Sequence, residues 1–246
     1  MNKSTFVPRV REFALARLSP EGAFGLHLTI GLAALLAAAW LFGDLAEDVV
    51  THDDITVFDV WLANWFHGHR HSPLTPFVLF FTHLHNTAGI LVMTALAAAW
   101  LRWKKAHYWL LTLLLAVPGG MLLNITLKFI FQRARPSFDE PLLTLATYSF
   151  PSGHTMAATV LYGVIAAYVA WTSRRWKTAV VAVLAACLMV GLVALSRVYL
   201  GAHYLSDVLA AMVEGCGWLA VCITASATLR RRRAAQSPPE APPTFH

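Results

Sequence analysis

Six stretches of this chain contain no Asp, Glu, Lys or Arg, or only one: residues 22–43, 71–101, 106–127, 141–173, 178–196 and 208–229, the last interrupted by Glu214 alone. A helix crosses the hydrocarbon core of a bilayer in roughly 20 apolar residues, so each stretch is long enough to span, and the two longest must also hold loop. The pattern predicts helices at about 23–43, 74–100, 107–131, 154–172, 178–196 and 205–229. The expected fold is all-α, a polytopic bundle of six transmembrane helices. The first run exceeds the h-region of a secretory signal, and Leu45-Ala46-Glu47-Asp48 is a poor cleavage sequence, so it is read as a span. Between the first two spans, Phe58 to Phe66 has aromatic positions that suit a short helix lying at the interface. The layout divides into a cytoplasmic segment at 1–22, the six-span domain at 23–229 and a basic, then proline-rich and disordered, tail at 230–246.

Composition agrees. The chain of 246 residues is 57% hydrophobic and 13% charged with a mean hydropathy of +0.57, against about 25% charged in a soluble domain. A water-soluble globule and a disordered chain are both excluded. The net charge of +6 raises the question of nucleic acid, but its distribution gives another answer. Lys3, Arg9, Arg11, Arg17, Arg102, Lys104, Arg174, Arg175, Lys177 and the run Arg230 to Arg233 all fall on one side of the predicted layout, together with Lys105. Cytoplasmic loops collect such residues, which puts both termini inside. The outer side takes the acidic Asp44, Glu47, Asp48, Asp53, Asp54, Asp59, Asp139 and Glu140, with five bases: Arg70, Lys128, Arg133, Arg135 and Arg197. Those five break the bias and call for another role. Cys187, Cys216 and Cys222 lie in apolar stretches without metal-ligand spacing, so neither a zinc site nor a disulfide framework is expected.

Candidate chemistry gathers on the outer side. Lys128 and Arg135 are seven residues apart and share a helix face if the third span continues that far, with Pro136 ending it. Pro151-Ser152-Gly153-His154 opens the fourth helix, where Ser152 is a suitable N-cap, Gly153 admits a ligand close to the backbone and the free amides attract an anion. Ser196-Arg197 is followed by His203 and Asp207, four apart, so a carboxylate can hold one imidazole nitrogen and leave the other as a nucleophile. Each motif alone has an ordinary structural reading; three segments converging on one membrane face do not.

Lys128-x6-Arg135-Pro136, Pro151-Ser152-Gly153-His154 and Ser196-Arg197-x5-His203-x3-Asp207 resemble the three signature motifs of the type 2 phosphatidic acid phosphatase superfamily, in order and with matching spacing across residues 128–207. The resemblance implies a phosphate cradled by Lys128, Arg135 and Arg197 with help from Ser152 and Gly153. It implies His203 as the nucleophile that forms a phosphohistidine, Asp207 as its orienting partner, and His154 as the acid for the leaving group and then the base for water. The chemistry of the residues agrees, since phosphoryl transfer needs positioning and charge stabilisation above all. No cluster of Asp or Glu accompanies the cations, so neither a metal nor a cofactor is called for. The expected protein is a hydrolase of a lipid phosphate or isoprenoid diphosphate, a multi-pass protein of a bacterial inner membrane acting on its periplasmic or extracellular face, with membrane lipids and no nucleic acid as partners. The alternatives are a lipid phosphotransferase using the same phosphohistidine step and a non-catalytic lipid-binding or transport protein.

Other polar groups are left open. His67, His69 and His71 alternate in a loop that solvation explains better than metal binding. His83, His85 and Asn86 either approach the site or sit at the interface. Glu214 lies seven residues after Asp207 on the same face, deeper in the membrane, where a carboxylate must be protonated or paired.

Overall fold

The computed structural model describes residues 25–70, 73–139, 142–143 and 145–236. The N-terminal bases, His71, Glu140 and the tail beyond residue 236 lie outside these. Eight helices and no strand are found among the described residues: α1 Leu26–Thr51, α2 Asp54–Gly68, α3 Leu74–Leu84, α4 Thr87–Trp103, α5 His107–Phe131, α6 Gly153–Thr172, α7 Trp176–Tyr199 and α8 Leu205–Gln236. Five are long and apolar enough to cross a membrane, and the bent pair α3 and α4 together is long and apolar enough for a sixth.

Helix α6 is the core element. Its Met156, Val160, Leu161 and Val164 are buried against Ile90 and Ala97 of α4, Leu113, Ala116 and Val117 of α5 and Ala211 of α8. Small residues permit the close approach that helices need in lipid, where no hydrophobic drive brings them together. At Gly215, a Cβ would come within 2.8 Å of the Thr159 side chain, so α8 and α6 can meet there only with glycine. The outer surfaces carry the converse pattern: Ile30, Leu36 and Trp40 of α1 and Val181, Leu184 and Leu188 of α7 are exposed, as lipid-facing side chains are.

Several boundaries differ from the hydropathy reading. Helix α1 runs past residue 43 through Asp44, Glu47 and Asp48 and stops only where His52 turns left-handed at φ 60°; the first charge does not end the helix. The span expected at 74–100 is broken. Asn86 caps α4 by accepting a bond from the Gly89 amide at 2.9 Å, and α3 and α4 are bent by 56°. Helix α5 ends at Phe131 because Gln132 adopts φ 46°, so Arg135 lies on the non-helical segment beyond it and not on a shared helix face with Lys128. A short helix, α2, does form where one was expected between the first two spans, and α8 extends past residue 229 to Gln236.

The two ends of the bundle differ in charge. Arg230 lies over the Trp171 ring at 4.3 Å, and His27 Nε2 is 3.1 Å from Thr228 Oγ1, so the start of α1 and the ends of α6 and α8 meet at one end. The end of α5, the starts of α6 and α8 and the end of α7 meet at the other, and there the motifs converge.

Candidate active site

The turn from α7 to α8 explains the spacing of the third motif. Arg197 stands in the last turn of α7. The Gly201 amide then donates to Val198 O at 2.9 Å and the Ala202 amide to Arg197 O at 3.0 Å, a Schellman closure that requires the left-handed φ of 67° held by Gly201. The chain thus doubles back, His203 follows within two residues, and α8 begins at Leu205. Asp207, in the first turn, reaches back to accept a 2.8 Å bond from the Tyr204 amide. Histidine and aspartate are therefore fixed by one helix start.

Donor chemistry settles the histidine's tautomer. Arg135 Nη1, which can only donate, lies 3.1 Å from His203 Nε2, so that nitrogen carries a lone pair. Nδ1 therefore carries the proton, and it faces Asp207 Oδ2 at 3.4 Å. His203 is 2% exposed, and burial, against the pull of Asp207, drives the imidazole down to about 3. It is a neutral ring with its lone pair directed at the cations.

A cavity of about 350 Å³ opens there, lined by Lys128, Arg135, Gly153, His154, Arg197 and His203 among others. Lys128 Nζ donates to Tyr148 O at 2.7 Å and Ser149 O at 3.3 Å. Arg135 also donates to Thr147 O and Ala202 O, both at 2.6 Å. Burial draws its guanidinium below the ordinary range, and the Asp207 carboxylate opposes the shift. Arg197 is 1% exposed; its Nη1 donates to Thr82 Oγ1 at 2.7 Å, whereas its Nε and Nη2 are buried without a partner. Unmade bonds of a buried cation are costly, and an anion in the cavity can complete them. His154 and Gly153 sit in the first turn of α6, whose leading amides have no acceptor within the helix. Ser152 is at the N-cap position but is fully buried; its Oγ accepts from Thr155 Oγ1 at 3.1 Å, and the hydroxyl does not cap the helix.

A family model for the PAP2 superfamily matches residues 107–231. The chain belongs to that superfamily. Phosphatidylglycerophosphatase B of Bacillus subtilis (strain 168) is 36% identical over 132 residues, which is 52% of this chain and 63% of the relative, so the match spans a little under two thirds of that protein. A crystal structure of a transmembrane PAP2-type phosphatidylglycerolphosphate phosphatase from Bacillus subtilis superposes with a TM-score of 0.70 at 28% identity, over 77% of this chain and 94% of the other. LpxE of Aquifex aeolicus, at 23% identity and a TM-score of 0.53 over 67% and 94% of the two chains, shares the fold.

Within this PAP2 site, several residues outside the three motifs surround them. Arg133 Nη1 donates to Asp207 Oδ1 at 2.7 Å, and Ser149 Oγ donates to Asp207 Oδ2 at 2.5 Å. His85, at the break between α3 and α4, is buried and lines the cavity, with Nδ1 donating to Phe81 O at 3.0 Å and Nε2 accepting from Tyr162 Oη at 2.8 Å. His83 is exposed and bonds its own helix at Leu79 O. His67 stacks on Phe138 and His69 on Trp65, and no group of metal-ligating side chains occurs among the described residues. Glu214 is buried, its Oε2 accepting from Asn124 Nδ2 at 2.8 Å.

Proposed function

We propose that this protein is a lipid phosphate phosphatase of a bacterial membrane, working through a phosphohistidine on Nε2 of His203. The observation that carries the reading is the tautomer: a buried, neutral imidazole whose one lone pair faces a cavity walled by Lys128, Arg135 and Arg197. Arriving phosphate completes the free donors of Arg197 and draws Arg135 Nη1 from Nε2 onto a phosphate oxygen, which uncovers the nucleophile. Nε2 then attacks phosphorus as the bond to the lipid oxygen breaks, and His154 donates its proton to that oxygen. Asp207 stabilises the positive charge that the substituted imidazole acquires. In the second half, water attacks phosphorus and gives a proton to His154, the P–Nε2 bond breaks, and inorganic phosphate leaves. The cations and the first amides of α6 stabilise the equatorial oxygens throughout.

The bundle's basic end lies opposite this site, and the bias of Lys and Arg toward the cytoplasm supports an outer-face active site with both termini inside. The names of the two Bacillus proteins make phosphatidylglycerol phosphate the first substrate to test. Purified protein incubated with that lipid, labelled in its terminal phosphate, is expected to release inorganic phosphate, to yield an acid-labile, base-stable phosphoenzyme on quenching, to survive EDTA and to be inhibited by vanadate. His203→Ala is expected to abolish both release and labelling. Labelling without release of free phosphate, with transfer to a second lipid, would instead establish the phosphotransferase. A fully active His203→Ala would overturn the mechanism.

A further inference from the structure

Arg133 and Arg135 are two apart on the non-helical segment that follows α5. Between them they hold the histidine and aspartate: Arg135 touches His203 Nε2, and Arg133 touches Asp207 Oδ1. Arg133 has a second partner. Its Nη2 donates to Asp59 Oδ2 of α2 at 2.8 Å, and its Nη1 also donates to Ser206 Oγ at 2.6 Å. Asp59 in turn accepts from the Ser206 amide at 2.9 Å on Oδ1 and from the Ser206 hydroxyl on Oδ2. Neither carboxylate side chain has any exposure, and Arg133 has 12%. Burial works against the Arg133 charge, but the Asp207 and Asp59 carboxylates outweigh it and raise the group above its ordinary range. Tyr204, whose amide holds Asp207, covers the guanidinium at 4.5 Å from ring centroid to Cζ.

We infer that Asp59 and Arg133 are positioning residues for the transfer site, a chain from α2 through one guanidinium to Asp207 that sets how the aspartate holds His203. The inference rests on the phosphatase reading above. Its physical content is a division of labour on Arg133. An arginine beside a lone carboxylate favours a two-handed grip on both oxygens. Asp59 takes the Nη2 hand, so Asp207 receives only Nη1, on Oδ1. Oδ2 is left for Ser149, the Tyr204 amide and the His203 Nδ1 proton. Two carboxylates around one guanidinium also keep one negative charge in hand, and that charge is needed when the imidazole becomes cationic in the phosphoenzyme. A staple that merely docked α2 would not need it: buried ion pairs are replaceable by apolar residues at little or no cost in stability.

A double-mutant cycle tests this, with Asp59→Asn, Arg133→Met and the pair, measuring kcat and KM for phosphate release and the thermal shift produced by inorganic phosphate. Each single variant is expected to lose roughly 10- to 100-fold in kcat, the range seen when hydrogen-bond partners that orient metal-bound histidines are removed, with KM nearly unchanged. The phosphate-induced shift should persist, because Lys128, Arg135 and Arg197 are intact. The double variant should be no slower than the slower single, since both act through Asp207. Should Asp59→Asn fail to fold, Asp59→Glu and Arg133→Lys serve: Glu, which keeps the charge, should retain more kcat than Lys, which cannot grip two carboxylates at once. Wild-type kcat in a folded single variant, losses that multiply in the double, or a rise in KM with loss of the phosphate shift would each overturn the inference. Failure of the underlying reading looks different: wild type itself would release no phosphate, and the inference would fall with it.

Discussion

Replacing Arg197 by methionine should cost the protein its anion site without costing it stability. The aliphatic stem is kept, and the guanidinium, 1% exposed, is removed. Two of its donors, Nε and Nη2, are buried without partners, and a buried polar group left unmade costs about 1–3 kcal/mol. The pair therefore represents about 2–6 kcal/mol of penalty. Against this stands the bond from Nη1 to Thr82 Oγ1 at 2.7 Å, a charged hydrogen bond contributing about 1.5–3 kcal/mol. The balance runs from near neutral to a gain of about 4 kcal/mol. At about 2–4 °C per kcal/mol for a chain of this size, the variant should melt within a few degrees of wild type at the low end of this range and up to roughly 16 °C higher at the high end. Adding phosphate at about 100 times its Kd should stabilise wild type by about 2.7 kcal/mol, some 5–11 °C, and leave Arg197→Met unmoved. Tryptophan fluorescence during thermal unfolding in detergent reads both quantities, with nine tryptophans as reporters. A phosphate shift in the variant as large as in wild type, or a variant that melts well below wild type without phosphate, would refute the argument.

Removing His154 should slow phosphohistidine formation steeply for a phosphomonoester lipid and less for a lipid diphosphate, whose leaving group is already a stabilised anion; single-turnover phosphorylation of His154→Ala with both substrates reads this, and equal fractional losses would show that His154 is not the acid. Acid stability should carry the mark of His203. Its folded-state value of about 3 lies below the ordinary 6.5, so the unfolded chain takes up the proton first; the contribution to stability is complete above about pH 6.5 and is lost as pH falls toward 3. The melting temperature should therefore drop more between pH 7 and 4.5 in wild type than in His203→Gln, and parallel drops would exclude it. For topology, a reporter fused after Arg233 should be active only in the cytoplasm; activity on the other side would reverse the bundle and its active-site face.

The sequence carried the site further than it carried the frame. Two apolar helices joined by a bend look like one long run to a hydropathy scan, so the break at Asn86 was hidden and the choice for His85 between cavity and interface stayed open. The left-handed turn at Gln132 was hidden too, because nothing in a run ending Lys128-Phe129-Ile130-Phe131 announces where hydrogen bonding stops. Asp59 was masked by its neighbours: Phe58, Trp61 and Trp65 are exposed as an interfacial helix requires, and the carboxylate among them was counted with the outer-face acids. Arg133 did leave a signal. It is one of five bases that defy the charge bias, and three of the other four, Lys128, Arg135 and Arg197, line the cavity. A base on the wrong side of a membrane protein is one that something other than topology has kept there.

That exception also explains why the site is built from helix ends. In lipid, irregular backbone is tolerated only where protein or water satisfies it, so turns belong at the membrane surface. The end of α5, the start of α6 and the turn from α7 to α8 all meet at one end of the bundle, and each supplies what a helix end has to give: carbonyls for Lys128 and Arg135, amides at Gly153 and His154, and the Tyr204 amide that holds Asp207. The cations are thus anchored by neutral carbonyls and hydroxyls, and the one that meets a carboxylate, Arg133, is turned away from the cavity and shared with Asp59. The cavity keeps its positive charge because its counter-charges are spent behind it. An anion is the group that such a pocket suits, and the lone pair of His203, now held by Arg135, lies beside the same cations.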